Sequence, residues 1–278
     1  MKFTKMHGTG NDYIFVNCLE ERVDDAPAVA RAVSDRHFGV GADGLILIHP
    51  SQCAAVRMEM YNADGSRAQM CGNGIRCVAK YAYERGLTAD KSFLIETDDG
   101  VKVAECSVSG RKVTKVRIDM GVPRFGPSEI PVTLDGDAVI DVPVEVHGRS
   151  LRMTCVSMGN PHAVFFVDSF EDIALEEDGS AIEGHSLFPE RVNVHFVEIE
   201  GRHRVGLLTW ERGSGRTLAC GTGAAAVCAA GARTGRTGRS VTVRAQGGEL
   251  ELEWADDNHV YMTGPAVEVF RGTWLQNE

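Results

Sequence analysis

Met70-Cys71-Gly72-Asn73-Gly74 and Ala219-Cys220-Gly221-Thr222-Gly223 repeat one pattern, a cysteine followed by Gly-x-Gly, in the two halves of the chain. The cysteines lie 149 positions apart (220 − 71), and so do Asn11, after Gly8-Thr9-Gly10, and Asn160, in Gly159-Asn160-Pro161. The same offset lays Tyr61-Asn62 on Trp210-Glu211 and Arg67 on Arg216, with no gap up to the cysteines. One offset that aligns separate motifs points to a duplicated unit in which each half contributes one thiol. Duplication can also leave two similar domains with no shared site. Two Cys-Gly-x-Gly turns related by a pseudo-twofold axis, however, would put one thiol on each side of a bound molecule.

Composition narrows the classes. A chain of 278 residues, 43% hydrophobic, can bury a real core and is long enough for two domains. Its net charge of −10, with no basic run and no aromatic-basic interleaving, gives phosphate-backbone binding little support, so no nucleic-acid partner is expected. No apolar stretch is long enough for a signal sequence or a membrane span, which predicts a cytoplasmic protein with no membrane partner. Eight cysteines in such a chain imply no disulfide framework, and without Cys-x-x-Cys spacing a zinc or thioredoxin-type site is not expected. Cys18, Cys53, Cys106 and Cys155 lie in or beside apolar strand-like segments and read as buried thiols, as do Cys77 and Cys228 within helical patterns.

Short β-rich runs recur from Tyr13–Asn17 to His259–Met262, fourteen in all, against three helical patterns, Ala26–Arg36, Gly74–Arg85 and Gly223–Thr234. The last two begin just after the repeated cysteine motif. Met120-Gly121-Val122-Pro123-Arg124-Phe125-Gly126-Pro127 and Gly264-Pro265 are breakers that suggest two domains, 1–120 completed by 266–278, and 121–265. Gly39-Val40-Gly41-Ala42-Asp43-Gly44 formally matches a dinucleotide fingerprint but follows a helix and precedes a strand, the reverse of the required order.

A cysteine at a helix start has a chemical use. The unpaired N–H groups and the positive end of the helix dipole can hold a carboxylate and favour a thiolate. Two such starts sharing one carboxylate would also stabilise the enolate-like charge that develops when the neighbouring α-proton leaves. A thiolate on one face then abstracts the proton while a thiol on the other delivers one, inverting the carbon with no cofactor and no metal.

These residues resemble the diaminopimelate epimerase family. The resemblance rests on His7-Gly8-Thr9-Gly10-Asn11-Asp12, Tyr61-Asn62-Ala63-Asp64-Gly65-Ser66, Met70-Cys71-Gly72-Asn73-Gly74-Ile75-Arg76-Cys77, Ser157-Met158-Gly159-Asn160-Pro161-His162, Val192-Asn193, Trp210-Glu211-Arg212-Gly213-Ser214-Gly215 and Cys220-Gly221-Thr222-Gly223-Ala224, in order over essentially the whole chain. It implies an α/β (α+β-like) fold of two pseudo-symmetric domains, each a mostly antiparallel or mixed sheet curled around a central helix, with the active site in the cleft between them. It also implies a homodimer that epimerises LL-diaminopimelate to the meso form, for lysine and peptidoglycan precursors. By carry-over, Cys71 and Cys220 are the acid/base pair, and the amides of Gly72, Asn73, Gly221 and Thr222 hold the reacting carboxylate. Asn11, Asn62, Asn160, Asn193, Glu211 and Arg212 grip the other polar groups of the amino-acid substrate, and His162 and Glu211 tune the thiols. Asn can both donate and accept, and Arg212 suits a carboxylate through a bidentate fork.

The chain departs from the family at Gly44, where many members carry a glutamine. Taken singly, Asn11, Asn62, Asn160 and Asn193 also read as turn formers, and His162 as structural; His7, His37 and His195 have no evident partner. A proline or hydroxyproline racemase would use the same two-thiol logic, though that family usually has histidine where this chain has Asn73. A binding protein with a redox switch at the two cysteines is the alternative from another class.

Overall fold

The structure, a computed structural model, describes residues 1–275. Two compact units divide the chain, Met1–Ile118 together with the chain from Thr263 on, and Asp119–Met262. The first holds β1 (Lys2–Gly8), β2 (Asn11–Asn17), α1 (Ala26–Ser34), β3 (Gly44–His49), β4 (Val56–Asn62), β5 (Arg67–Ala68), α2 (Gly72–Glu84), β6 (Ser92–Thr97), β7 (Gly100–Ser109) and β8 (Lys112–Asp119). The second holds β9 (Val142–Val146), β10 (Arg149–Ser157), β11 (Pro161–Val167), α3 (Leu175–Glu183), β12 (Asn193–Gly201), β13 (Arg204–Glu211), β14 (Gly215–Thr217), α4 (Gly221–Arg233), β15 (Ser240–Ala245), β16 (Gly248–Trp254) and the start of β17 (Val260–Gly264), along which the chain passes back to the first unit. The last strand, β18 (Val267–Thr273), belongs to the first unit and pairs antiparallel with β1.

Strand register carries the 149-residue offset into three dimensions. β2 and β3 run parallel with Tyr13 opposite Gly44 and Phe15 opposite Ile46; β11 and β12 run parallel with His162 opposite Asn193 and Val164 opposite His195. The next, antiparallel pairs match as well, Leu45 with Tyr61 and Val194 with Trp210, and then Tyr61 with Arg67 and Trp210 with Arg216. A slip of one residue would exchange the two faces of a strand. Identical registers therefore place equivalent residues on equivalent faces in both units.

Each unit has a mixed sheet around one central helix. α2 packs against β1, β2, β4 and β7, and α4 against β10, β11, β12, β15 and β16. Both helices are 13 residues long and bury ten of them, as expected of helices covered on nearly all sides. The run Ala224-Ala225-Ala226-Val227-Cys228-Ala229-Ala230 gives α4 strong helix propensity and a narrow waist, so strands approach it closely. α1 and α3 cover outer faces, Val29, Ala30 and Val33 joining one core and Leu175 and Ile182 the other.

Some elements escape the sequence reading. β1 and β18 were not among the expected strands, nor were the short β5 and β14, and α3 was not among the expected helices. Gly179 lies inside α3 because a Cβ there would come within 2.7 Å of the Trp210 ring, and a glycine with three acidic residues in the first turn masks the helical pattern. One thiol is corrected: Cys53 is exposed, in the turn between β3 and β4, whereas Cys77, Cys106, Cys155 and Cys228 are buried and Cys18 partly so. No helix among the described residues is long and apolar enough to cross a membrane.

Candidate active site

Cys71 and Cys220 occupy the same structural position. Each is the N-cap of its unit's central helix, in extended conformation, with φ/ψ of −132°/121° and −116°/116°. Each sulfur accepts the amide N–H three residues on, Gly74 to Cys71 and Gly223 to Cys220, both at 3.4 Å. Cysteine thus does here what serine or aspartate usually does at a helix start. The chain enters each site through a glycine in the left-handed region, Gly10 (φ 84°) before Asn11 and Gly159 (φ 93°) before Asn160.

Around Cys71 the polar contacts come from β2 and α2. The thiol donates to Asn11 Oδ1 at 3.2 Å, and the Tyr13 hydroxyl donates to the sulfur at 3.7 Å. Asn73 Nδ2 donates to the same Asn11 oxygen at 3.4 Å, while Asn73 Oδ1 accepts from Thr9 at 3.3 Å. Asn11 Nδ2 donates to Asp43 at 2.7 Å, and Asp43 and Asp12 share Arg36, 2.9 Å from each. Burial, followed by the adjacent Cys71, holds the Tyr13 hydroxyl well above its ordinary range, so it stays a donor. Asn62, at the end of β4, donates to Ser66 at 3.0 Å.

Around Cys220 the contacts come from β11, β12, β13 and α4. Thr222 Oγ1 lies 3.5 Å from the sulfur, and Asn160 Nδ2 donates to that hydroxyl at 3.4 Å. His162 Nε2 is 2.8 Å from Asn160 Oδ1 and its Nδ1 is 2.9 Å from His195 Nε2. Glu211 accepts from Thr217 at 2.6 Å and hydrogen-bonds to the Cys220 side chain. Asn193 forms a second group: it donates to the Pro161 carbonyl at 2.8 Å and accepts from the Arg212 amide at 3.0 Å, while the exposed Arg212 guanidinium donates to the Glu190 carbonyl at 3.1 Å.

Burial and the neighbouring side chains set the electrostatics around Cys220. Burial and then the Glu211 carboxylate push the Cys220 thiol pKa well up, against the lowering by the Thr222 hydroxyl and the Gly223 amide at the helix start. His162 connects to Cys220 through Asn160 and Thr222. His162 itself is held neutral, well below its ordinary pKa, by burial first and then by His195 and Arg212.

The chain matches the family model described as diaminopimelate epimerase over residues 3–126 and 154–269. It is 52% identical to the diaminopimelate epimerase of Acetivibrio thermocellus, with both chains fully covered. It is 51% identical to that of Moorella thermoacetica (98% of each chain) and 47% identical to that of Methanococcus maripaludis (98% and 99%). This chain belongs to the diaminopimelate epimerase family. Solved structures add the fold alone: a PhzF-family phenazine biosynthesis protein from Bacillus anthracis at TM-score 0.73 and 18% identity (99% of each chain), and a hydroxyproline epimerase from Agrobacterium vitis at 0.66 and 17% (98% and 90%).

Within this diaminopimelate epimerase family member, Gly44 has a local cause. A Cβ at position 44 would sit 2.2 Å from the Tyr61 carbonyl and 3.1 Å from the Tyr13 ring. The backbone here leaves no room for a side chain at this position without a shift of its neighbours. Sequence reasoning missed Tyr13, Asp43, His195, Thr209 and Thr217. Tyr13 and His195 could have been found by carrying the offset further, since Tyr13 is the image of His162 and Ile46 the image of His195. Among the described residues, no three His, Cys, Asp or Glu side chains gather as a metal site.

Proposed function

We propose that this chain interconverts LL-2,6-diaminopimelate and meso-2,6-diaminopimelate without a cofactor, using Cys71 and Cys220 as the two proton carriers, in the supply of lysine and peptidoglycan precursors. The observation that carries it is the matched setting of the two sulfurs, each capping its helix through an amide 3.4 Å away. A thiolate takes the α-proton and becomes a thiol; the electron pair passes into an enolate-like carboxylate; the other thiol gives its proton to the opposite face and becomes the thiolate. The product leaves with the two sulfurs exchanged in protonation. The amides of Gly72, Asn73, Gly221 and Thr222, at the positive ends of α2 and α4, stabilise the carboxylate as its charge grows.

Asn11, Asn62, Asn160, Asn193, Glu211 and Arg212 are the proposed grips on the remaining polar groups, with His162 and Glu211 adjusting the thiols. We further propose that the two units are the two epimerase domains, and that the enzyme works as a cytoplasmic homodimer; family membership supports both, and sedimentation equilibrium tests the second. The activity is tested by incubating reduced protein with LL-diaminopimelate in D₂O and following α-deuterium and the meso product by NMR. Wild type should give deuterated meso product, and Cys71→Ser and Cys220→Ser should each lose nearly all epimerisation. A wild type that exchanges no α-proton would remove diaminopimelate as the substrate.

A further inference from the structure

Behind Cys220 runs a chain of hydrogen bonds with a single direction. Asn160 Nδ2 faces Thr222 and its Oδ1 faces His162 Nε2 at 2.8 Å; a carbonyl oxygen only accepts, so His162 carries its proton on Nε2. His162 Nδ1 must then accept, and the group 2.9 Å away is His195 Nε2, which therefore carries a proton too. His195 Nδ1 accepts in turn from the Thr209 hydroxyl at 3.2 Å. At the other end Thr222 receives Asn160 and has its own proton left for the Cys220 sulfur at 3.5 Å. Both histidines are wholly buried, and Thr209 is nearly so.

His195 also touches the cysteine turn directly. A Cβ on Gly223 would lie 2.2 Å from His195 Cε1 and 2.7 Å from its Nε2, so the ring occupies the space that the missing side chain leaves in the first turn of α4. The first unit shows what the fold alone needs there. The residue equivalent to His195 is Ile46, which lies 2.7 Å from the corresponding Cβ position on Gly74; Thr209 corresponds to Met60, and His162 to Tyr13. The same strands in the same register pack without the polar chain. Tyr13, like His162, is polar, but burying the His195 imidazole and the Thr209 hydroxyl where Ile46 and Met60 fill the place in the first unit needs a reason other than packing.

We propose that His195, backed by Thr209, is a positioning residue for Cys220: it fixes the tautomer of His162, which turns Asn160 so that Thr222 presents its hydroxyl proton to the sulfur. The assignment deepens the two-thiol reading and rests on Cys220 being one of its proton carriers. The test is His195→Ile, the residue the first unit uses, with His195→Gln restoring an N–H near the Nε2 position and Thr209→Val removing only the far donor.

In full-length protein with ¹⁵N-labelled histidine, long-range imidazole spectra should show wild-type His162 and His195 neutral and protonated on Nε2. In His195→Ile the single His162 tautomer should be lost. Alkylation of Cys220 by iodoacetamide, followed by peptide mass spectrometry, should slow in His195→Ile, and kcat should fall by about tenfold, the loss of one hydrogen bond to a buried group, while KM stays within about twofold. His195→Gln should recover most of both, and Thr209→Val should show a smaller loss of the same kind. The tautomer and alkylation readouts need no substrate, so they separate failure of the relay from failure of the diaminopimelate reading. A wild-type His162 protonated on Nδ1, or a folded His195→Ile with unchanged Cys220 alkylation and kcat, would overturn the proposal. If His195→Ile does not fold, Thr209→Val and His195→Gln decide it by the same readouts.

Discussion

Asn11 and Asn160 hold the same position in their units and present opposite ends of the amide toward the thiol. Asn11 points its oxygen at Cys71 because its nitrogen is taken by Asp43, at 2.7 Å. Asn160 points its nitrogen at Thr222, beside Cys220, because its oxygen is taken by His162, at 2.8 Å. A duplicated scaffold thus carries two differently polarised sites, and the difference lies in residues one contact further out. In the two-thiol reading proposed above, one sulfur is protonated while the other is not, and such unequal surroundings would supply that bias.

Asp43→Ala should expose how much the orientation of Asn11 matters. The carboxylate accepts from Asn11 and is held by Arg36, so its removal frees the amide to rotate and frees Arg36 to pair with Asp12 alone. Loss of one charge-assisted hydrogen bond amounts to about 1.5–3 kcal/mol, so kcat/KM should fall on the order of tenfold or more. Steady-state kinetics should show the fall mainly in kcat, with thermal stability little changed because Asp43 is exposed.

Gly223→Ala and Gly74→Ala should differ in cost although both glycines follow a helix-capping cysteine at the same distance. At 223 the new methyl meets the His195 ring, which is held by hydrogen bonds at both nitrogens. At 74 it meets Ile46 Cδ1 at 2.7 Å and Met58 Cε at 3.2 Å, the ends of flexible side chains. Overpacking costs about 1–3 kcal/mol where the neighbour cannot move. A helix gains up to about 1 kcal/mol from replacing glycine by alanine. Thermal denaturation should find Gly223→Ala clearly destabilised and Gly74→Ala close to neutral; equal losses would mean that the His195 ring is freer than its contacts indicate.

Buried neutral histidines make the protein sensitive to mild acid. Burial carries His195 down to about 3 from its ordinary 6.5, and His162 moves the same way. Between those values the unfolded chain binds protons that the folded protein does not. Stability therefore rises with pH through this window, is fully present above about 6.5, and is lost by up to about 1.4 kcal/mol per pH unit per group as pH falls. The depressed carboxylates Asp12 and Glu84, with ordinary values of 3.8 and 4.5, act in the same direction but at lower pH. Urea denaturation between pH 6.5 and 5 should show a shallower slope in His195→Ile than in wild type by up to one proton. Parallel slopes would mean that His195 is protonated in the folded protein.

The duplication was legible because its offset runs without a gap from Asn11 to Cys71, and the two cysteines announced themselves by the glycines around them. Strands such as β9 and β16 were legible from alternation between buried and exposed positions. β18 was not, since Val267, Val269 and Phe270 are all substantially exposed and the run lacks a buried face. The relay behind Cys220 was illegible for another reason. His195 sits in the apolar run of β12, where a single histidine reads as an isolated core residue, and its partners Thr209 and His162 come from strands that only tertiary pairing brings alongside.

Glu211→Gln should make Cys220 more reactive and the enzyme slower. The carboxylate raises the Cys220 pKa both by its charge and by accepting a hydrogen bond from the thiol, while the groups on α4 that face the sulfur, Thr222 and the Gly223 amide, lower it. Glutamine keeps an oxygen for Thr217, which donates to Glu211 at 2.6 Å, so β13 and β14 stay joined. With the charge gone, the pH profile for iodoacetamide labelling of Cys220 should move to lower pH, and labelling at pH 8 should speed up several-fold. Epimerisation should still fall, because Glu211 is also a proposed grip on the substrate and the thiol would no longer be kept protonated for delivery. A profile that moves to higher pH would show that the carboxylate favours the thiolate instead, by drawing the proton away from the sulfur.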